Sequence, residues 1–328
     1  MAGHELVAEV WRGDFLESVH HGSLIVLDSD GSPVLRVGDV DTPMYPRSSN
    51  KPIQATAMLR SGLELDGDLL ALAAASHSGE AHHIEGVHRI LKQAGLTVDD
   101  LRNTPGLPIG GAALAAHHAA GRGAEPLTMN CSGKHAAMLA TCVAAGWDTA
   151  SYLEPDHPVQ RAIRRTLEDL TGETVASVGV DGCGAPLLAA SLTGLARAFG
   201  RIATAHPDIP EGRVAAAMRG YPEYVGGTGR DVTELMRLLP GLVAKDGAEG
   251  VYAAALPDGR AVALKIADGS SRARPPVMVA ALRHLGVDLS AVDALPVDTS
   301  LAAPPVLGHG RPVGTVRPSA ALAVPART

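Results

Sequence analysis

The sequence predicts an α+β fold, with one antiparallel sheet assembled from both ends of the chain and a helical region inserted between them. Three observations carry this expectation. Short strand-like runs bounded by turn residues lie near each terminus, helical periods fill the middle, and strand and helix do not alternate as a parallel α/β protein requires. The expected sheet portion is residues 1–50 plus 245–328, and the expected helix-rich portion is residues 51–244. No internal repeat is present and no linker is long enough to separate independent domains, so the two portions form a single discontinuous unit.

Near the N-terminus, Glu5–Val10 and Ser23–Leu27 read as strands. Val34–Val37 follows the turn signal Asp28-Ser29-Asp30-Gly31, which makes a hairpin. Pro52 suits the first turn of a helix over Ile53–Leu59, where its missing N–H would be unpaired anyway. Helical periods follow at Ile84–Gln93, His135–Ala145, Val159–Leu170 and Leu187–Phe199, with Gly95, Gly146 and Gly200 just past three of them. Strands return at Val251–Leu256 and Ala261–Ile266, joined by Pro257-Asp258-Gly259-Arg260, a second hairpin signal. A helix over Arg274–Leu285 and a last strand near Pro312–Val316 complete the chain.

Of the 328 residues, 46% are hydrophobic but only 3% aromatic, so the core is built of Ala, Leu and Val. The formal charge is -7 and the basic residues are scattered. That excludes the cationic stripe a nucleic acid requires. No window of eighteen residues is apolar and uncharged, and His4, Glu5 and Glu9 break any N-terminal leader pattern. A soluble, cytoplasmic protein acting on a small molecule is expected. The three cysteines are widely spaced, which favours free thiols or a metal site over a disulfide framework.

Chemistry concentrates in a few segments. In Arg47-Ser48-Ser49-Asn50-Lys51-Pro52, Ser48 and Lys51 stand three apart and share a helix face, so the lysine can activate the serine; helix capping is the plainer alternative. Leu69–Ala75 is an apolar run that ends in Ser76-His77-Ser78-Gly79-Glu80, which by itself reads as a turn. His77, His82 and His83 match no metal-ligand spacing. Met129-Asn130-Cys131-Ser132-Gly133-Lys134-His135 gathers an amide, a thiol, a hydroxyl, an amine and an imidazole before a helix. It lacks the first glycine and the hydroxyl of a phosphate loop.

Asp181-Gly182-Cys183-Gly184 leaves a short strand, Val178–Val180, before a helix opening at Pro186. Asp181 can bind an ammonium group there or cap the helix. Cys131 and Cys183, with Lys134 as a rarer ligand, could hold zinc, although their spacing forms no standard motif. Cys142 reads as core. Lys265 sits in the apolar strand Ala263–Ile266, where a lysine needs a partner, a task or an exposed edge.

Together these segments resemble the rhizobial-type L-asparaginases, the asparaginase II family. The resemblance rests on Arg47–Pro52, Ala75-Ser76-His77-Ser78, Asn130–His135, Asp156-His157-Pro158, Asp181-Gly182-Cys183 and Lys265–Gly269, in that order. It implies a β-lactamase/glutaminase-like fold, with strands from both termini forming one antiparallel sheet beside the helices. It also implies hydrolysis of L-asparagine by two serine–lysine pairs, Ser48 with Lys51 and Ser76 with Lys265. Ser48 would be the nucleophile and Lys51 its proton acceptor, while Lys265 acts through Ser76 on the leaving ammonia. Arg47, Asn130 and Asp181 would bind substrate; Cys131, Lys134 and Cys183 would hold one zinc ion, with no organic cofactor. The family also implies a homodimer. A glutaminase or broader amidase is the near alternative, and a β-lactam-binding protein a more distant one. A non-catalytic zinc or thiol sensor built on the three cysteines is the alternative of another class.

Overall fold

The structure is a computed structural model that describes residues 3–324. Its strands are β1 (Glu5–Arg12), β2 (Phe15–Leu27), β3 (Pro33–Val37), β4 (Val178–Val180), β5 (Pro186–Leu188), β6 (Val243–Asp246), β7 (Val251–Ala255), β8 (Ala261–Ile266), β9 (Pro305–Gly308) and β10 (Arg311–Pro318). Eight of them make one antiparallel sheet in the order β6-β7-β8-β2-β1-β10-β9, with β3 added on β2. Both ends of the chain therefore share the sheet, and the long helical stretch lies between β3 and β6. This is the α+β arrangement the strand and helix pattern predicts.

Strand β2 is the junction. Its first part pairs with β1, while Gly22–Leu27 pairs with β8 and Leu24–Leu27 with β3. The hydrophobic pattern reveals only Ser23–Leu27, because that half is buried. The first half points largely to solvent, with Phe15 72% exposed. Strands β7 and β8 are buried on both faces except at Lys265, and so read as continuous apolar runs. The helices Leu192–Thr204 and Arg274–His284 both pack on β8. The many alanines of β7 and β8 let those helices approach closely, as a core poor in aromatics requires.

Two expectations are corrected. The predicted helix over Leu187–Phe199 begins instead at Leu192, because Pro186–Leu188 pairs with Val178–Val180 as a small separate hairpin. Asp181–Gly184 is thus the turn of that hairpin, and it opens no helix at Pro186. Ser191 supplies the true start, its Oγ accepting from the Gly194 N–H at 2.8 Å. Gly200 does not end this helix, which runs on to Thr204. A Cβ at Gly200 would stand 2.8 Å from the Gly259 carbonyl oxygen, so the glycine serves the close approach of helix to hairpin turn. Strands β6 and β9 were not expected: β6 is a four-residue buried run whose Lys245 and Asp246 mask its apolar character.

Replacing Gly200 with valine should lower stability by about 1–3 kcal/mol, because the added carbons meet backbone that cannot rotate away. Urea unfolding with an unchanged slope measures this, and a neutral Gly200→Val variant would contradict the packing described.

Candidate active site

The serine motif forms a 3-10 turn, Arg47–Asn50, that leads into the helix Lys51–Arg60, with Pro52 in its first turn. Lys51 is 1% exposed. Its Nζ donates to Ala75 O at 2.5 Å, Ser76 Oγ at 3.0 Å and Cys131 Sγ at 3.1 Å. Three acceptors match the three N–H donors of an ammonium group, so the side chain is fully engaged. It joins three segments that lie far apart in sequence.

The serines divide clearly. Ser49 is buried and donates to the Lys245 carbonyl at 3.1 Å. Ser48 is half-buried, and its hydroxyl forms no hydrogen bond among the described residues. Lys51 is therefore hydrogen-bonded to Ser76 and not to Ser48. The expected pairing of Ser76 with Lys265 is not formed, because the Lys265 Nζ donates to the carbonyls of Glu249 at 2.6 Å and Ile266 at 3.4 Å.

Sequence reasoning missed Lys245, although its signal was the one used for Lys265, a lysine inside an apolar strand. Lys245 is fully buried, and its Nζ donates to Asp246 O at 2.7 Å and Asp246 Oδ1 at 2.6 Å. Burial, reinforced by the charge of nearby Lys51, brings its pKa down to about 8. Asp246 also receives Arg230 at 2.6 Å and Arg274 at 3.4 Å. Burial would raise its pKa, but Lys245 and the two guanidinium groups hold it well below the usual carboxylate range.

Cys131 and Cys183 form a small buried cluster with Ala185, covered by Met129 and Leu153. Lys134 Nζ lies 3.2 Å from Cys183 Sγ. A hydrogen bond from Cys183, and then the charge of Lys51, hold the Cys131 thiol well below its ordinary pKa, whereas the donor Cys183 is pushed up. Although burial opposes it, the Cys183 and Cys131 charges raise the pKa of Lys134. Two sulfurs and a nitrogen thus converge beside Lys51, from the helix Ser132–Ala145 and the β4–β5 turn. Asn130 is turned to the same place, its Oδ1 accepting from Cys131 Sγ at 3.0 Å.

Next to this cluster opens a cleft of about 380 Å³ lined by Tyr45, Arg47, Gly179, Leu187, Glu249 and Lys265, among others. Arg47 Nε donates to Asp181 Oδ1 at 2.9 Å. Burial would raise the pKa of Asp181, but the charges of Lys134 and Arg47 keep it lowered. The structure therefore gathers Ser48, Lys51, Ser76, Asn130, Cys131, Lys134, Asp181 and Cys183 into connected surroundings through Lys51 and Arg47. Lys265 joins them from the cleft wall.

The charges at Asp246 give a direct test. Asp246→Asn leaves Lys245, Arg230 and Arg274 without their shared anion, and stability to urea should fall by about 3–5 kcal/mol. A loss under about 1 kcal/mol would show that those cations do not depend on it.

Several solved structures are distantly similar to this one. A β-lactamase from Mycobacterium bovis aligns with 13% identity and a TM-score of 0.43, covering 80% of this chain and 94% of that one. Mglu in its tris and glutamate form aligns with 15% identity and a TM-score of 0.38, covering 84% and 61%. EstCE1, a hydrolase with promiscuous acyltransferase activity, aligns with 12% identity and a TM-score of 0.40, covering 86% and 93%. No curated protein matches the chain. No helix among the described residues is long and apolar enough to cross a membrane. The family model described as L-asparaginase II matches residues 8–318, nearly the whole chain, and on that match the chain belongs to the L-asparaginase II family of amide-hydrolysing enzymes.

Proposed function

We propose that the protein is an L-asparaginase that hydrolyses L-asparagine to L-aspartate and ammonia through an acyl-enzyme on Ser48. The observation that carries this reading is the pair of buried lysines, Lys51 and Lys245, against a serine turn whose Ser48 hydroxyl forms no hydrogen bond among the described residues. Ser48 Oγ attacks the side-chain amide carbon, and its proton passes to the neutral amine of Lys245. Lys51, hydrogen-bonded to Ser76, delivers a proton to the amide nitrogen as the C–N bond breaks and ammonia departs. Water then attacks the resulting ester, releasing aspartate and restoring the serine hydroxyl. Lys245 takes the part expected of Lys51 as acceptor of the Ser48 proton, and Lys51 takes the part expected of Lys265 as partner to Ser76.

The donor set of Cys131, Lys134 and Cys183 fits zinc once Lys134, whose nitrogen lies 3.2 Å from Cys183 Sγ, gives up its proton, since the two buried sulfurs suit a borderline-soft ion. Zinc there would supply Lewis-acid polarisation beside the reacting amide. Lys51, which donates to Cys131, ties the position of that set to the serine turn. A glutaminase is the near alternative, because one methylene is worth only about 1–3 kcal/mol of discrimination. A thiol sensor would leave Ser48 and Lys245 without a role. The family resemblance is also the ground for proposing a homodimer.

Several measurements test this reading. Purified protein should release ammonia from L-asparagine at a higher kcat/KM than from L-glutamine, and Ser48→Ala should abolish both; activity that survives in Ser48→Ala would contradict the nucleophile. The neutral fraction of Lys245 grows as pH rises, so kcat/KM should climb through about pH 8 and level off above it. The folded pKa lies below the unfolded value of about 10.4, so the unfolded chain binds more protons between these values and stability should rise with pH across that window. Lys245→Met should lower kcat/KM by about 10²–10⁴-fold, and a variant of undiminished activity would remove Lys245 from the mechanism. Elemental analysis should find zinc bound by the native protein and lost in Cys131→Ser and Cys183→Ser. Equal metal content in all three would contradict the ligand set.

A further inference from the structure

Arg47 and Glu249 face each other across the mouth of the cleft, and both have left-handed backbones, with φ of 52° and 57°. Such a conformation costs a non-glycine residue of order 1–3 kcal/mol, and it persists only where the surroundings enforce it. The enforcement is visible at Glu249. Its carbonyl accepts from Lys265 Nζ at 2.6 Å, and a Cβ on the next residue, Gly250, would lie 2.8 Å from the Ile266 Cβ. The loop is pinned while the Glu249 carboxylate stays 63% exposed.

The two carboxylates of the site are committed differently. Asp181, only 13% exposed, already accepts from Arg47 Nε at 2.9 Å and from the Gly182 N–H at 2.9 Å. Its geometry is that of a group holding the guanidinium in place. Glu249 meets Arg47 only loosely, with Nη1 to Oε1 at 3.7 Å and no hydrogen bond. The cleft therefore offers a guanidinium fixed from behind, a lysine committed to backbone carbonyls, and one anion without a firm partner. An α-amino acid carries the complementary pair, a carboxylate and an ammonium on one carbon.

We infer that Glu249 is a specificity-determining residue whose carboxylate receives the substrate's α-ammonium while Arg47 receives its α-carboxylate, the substrate replacing the loose Arg47–Glu249 contact. The inference rests on the asparaginase reading and moves to Glu249 the ammonium-binding role expected of Asp181. Lys265 becomes a positioning residue that pins the Glu249 loop. The enzyme would thereby select free amino acids over amides that lack an α-amino group.

The test compares wild type with Glu249→Gln, a substitution of the same shape at an exposed side chain. Loss of a hydrogen bond to a charged group is worth about 1.5–3 kcal/mol, which corresponds to about 10–100-fold. KM for L-asparagine and the competitive inhibition constant of L-aspartate should rise by that factor. kcat and the urea midpoint should stay near wild type, and inhibition by succinate, which has no ammonium group, should not weaken. An unchanged KM and unchanged aspartate inhibition would overturn the inference, as would equal weakening of aspartate and succinate, which would mean a general distortion of the cleft. If the wild type itself releases no ammonia from L-asparagine, the asparaginase reading fails and this inference falls with it. That failure is distinct, because it is seen before any substitution.

Discussion

The ammonium group of Lys51 is the constraint on which the site depends. A charge enclosed in an alanine- and leucine-rich core is tolerated only if each of its donors finds an acceptor. Here the acceptors are Ala75 O, Ser76 Oγ and Cys131 Sγ. Meeting that requirement fixes the end of one apolar run and the start of the Ser132–Ala145 helix against the serine turn. The chemistry-bearing segments come together because one buried cation needs all of them. Asp246 repeats the logic with the sign reversed, one carboxylate facing Lys245, Arg230 and Arg274.

The two lysines next to the serine turn differ in a way that suits them to different work. Lys51 has three acceptors, whereas Lys245 has its neighbouring Asp246 and a pKa brought down to about 8 by burial. The two lysines thus differ in their surroundings, one shared among three segments and one held by the carboxylate beside it in its own strand. The left-handed Arg47 and Glu249 frame the entrance of the cleft, and Ser48 is the residue after Arg47.

Much of the fold was legible in the sequence, and what was missed has physical causes. The β7–β8 hairpin was readable because Pro257-Asp258-Gly259-Arg260 is a strong turn between two apolar runs, and Ala261–Ile266 appears with the bounds expected of it. The β5 strand was read as helix because Pro186–Leu188 pairs with a segment only a few residues away, leaving no periodicity to detect. The site's residue types were legible, but its pairings were not. Spacing places Ser48 and Lys51 on one face, yet a lysine side chain is long enough to choose a partner from another segment, and Lys51 reaches Ser76. Lys265 and Lys245 look alike in sequence, as lysines in apolar strands. Only the fold separates the half-buried one on the cleft wall from the fully buried one beside the serine turn.

The central claim is that Ser48 carries the acyl group during turnover. Acid-quenching the enzyme during steady-state hydrolysis of L-asparagine and sequencing its peptides by mass spectrometry tests this most directly. An aspartyl ester on Ser48 is the predicted result, and an ester on Ser76, or turnover without any covalent adduct, would contradict the account.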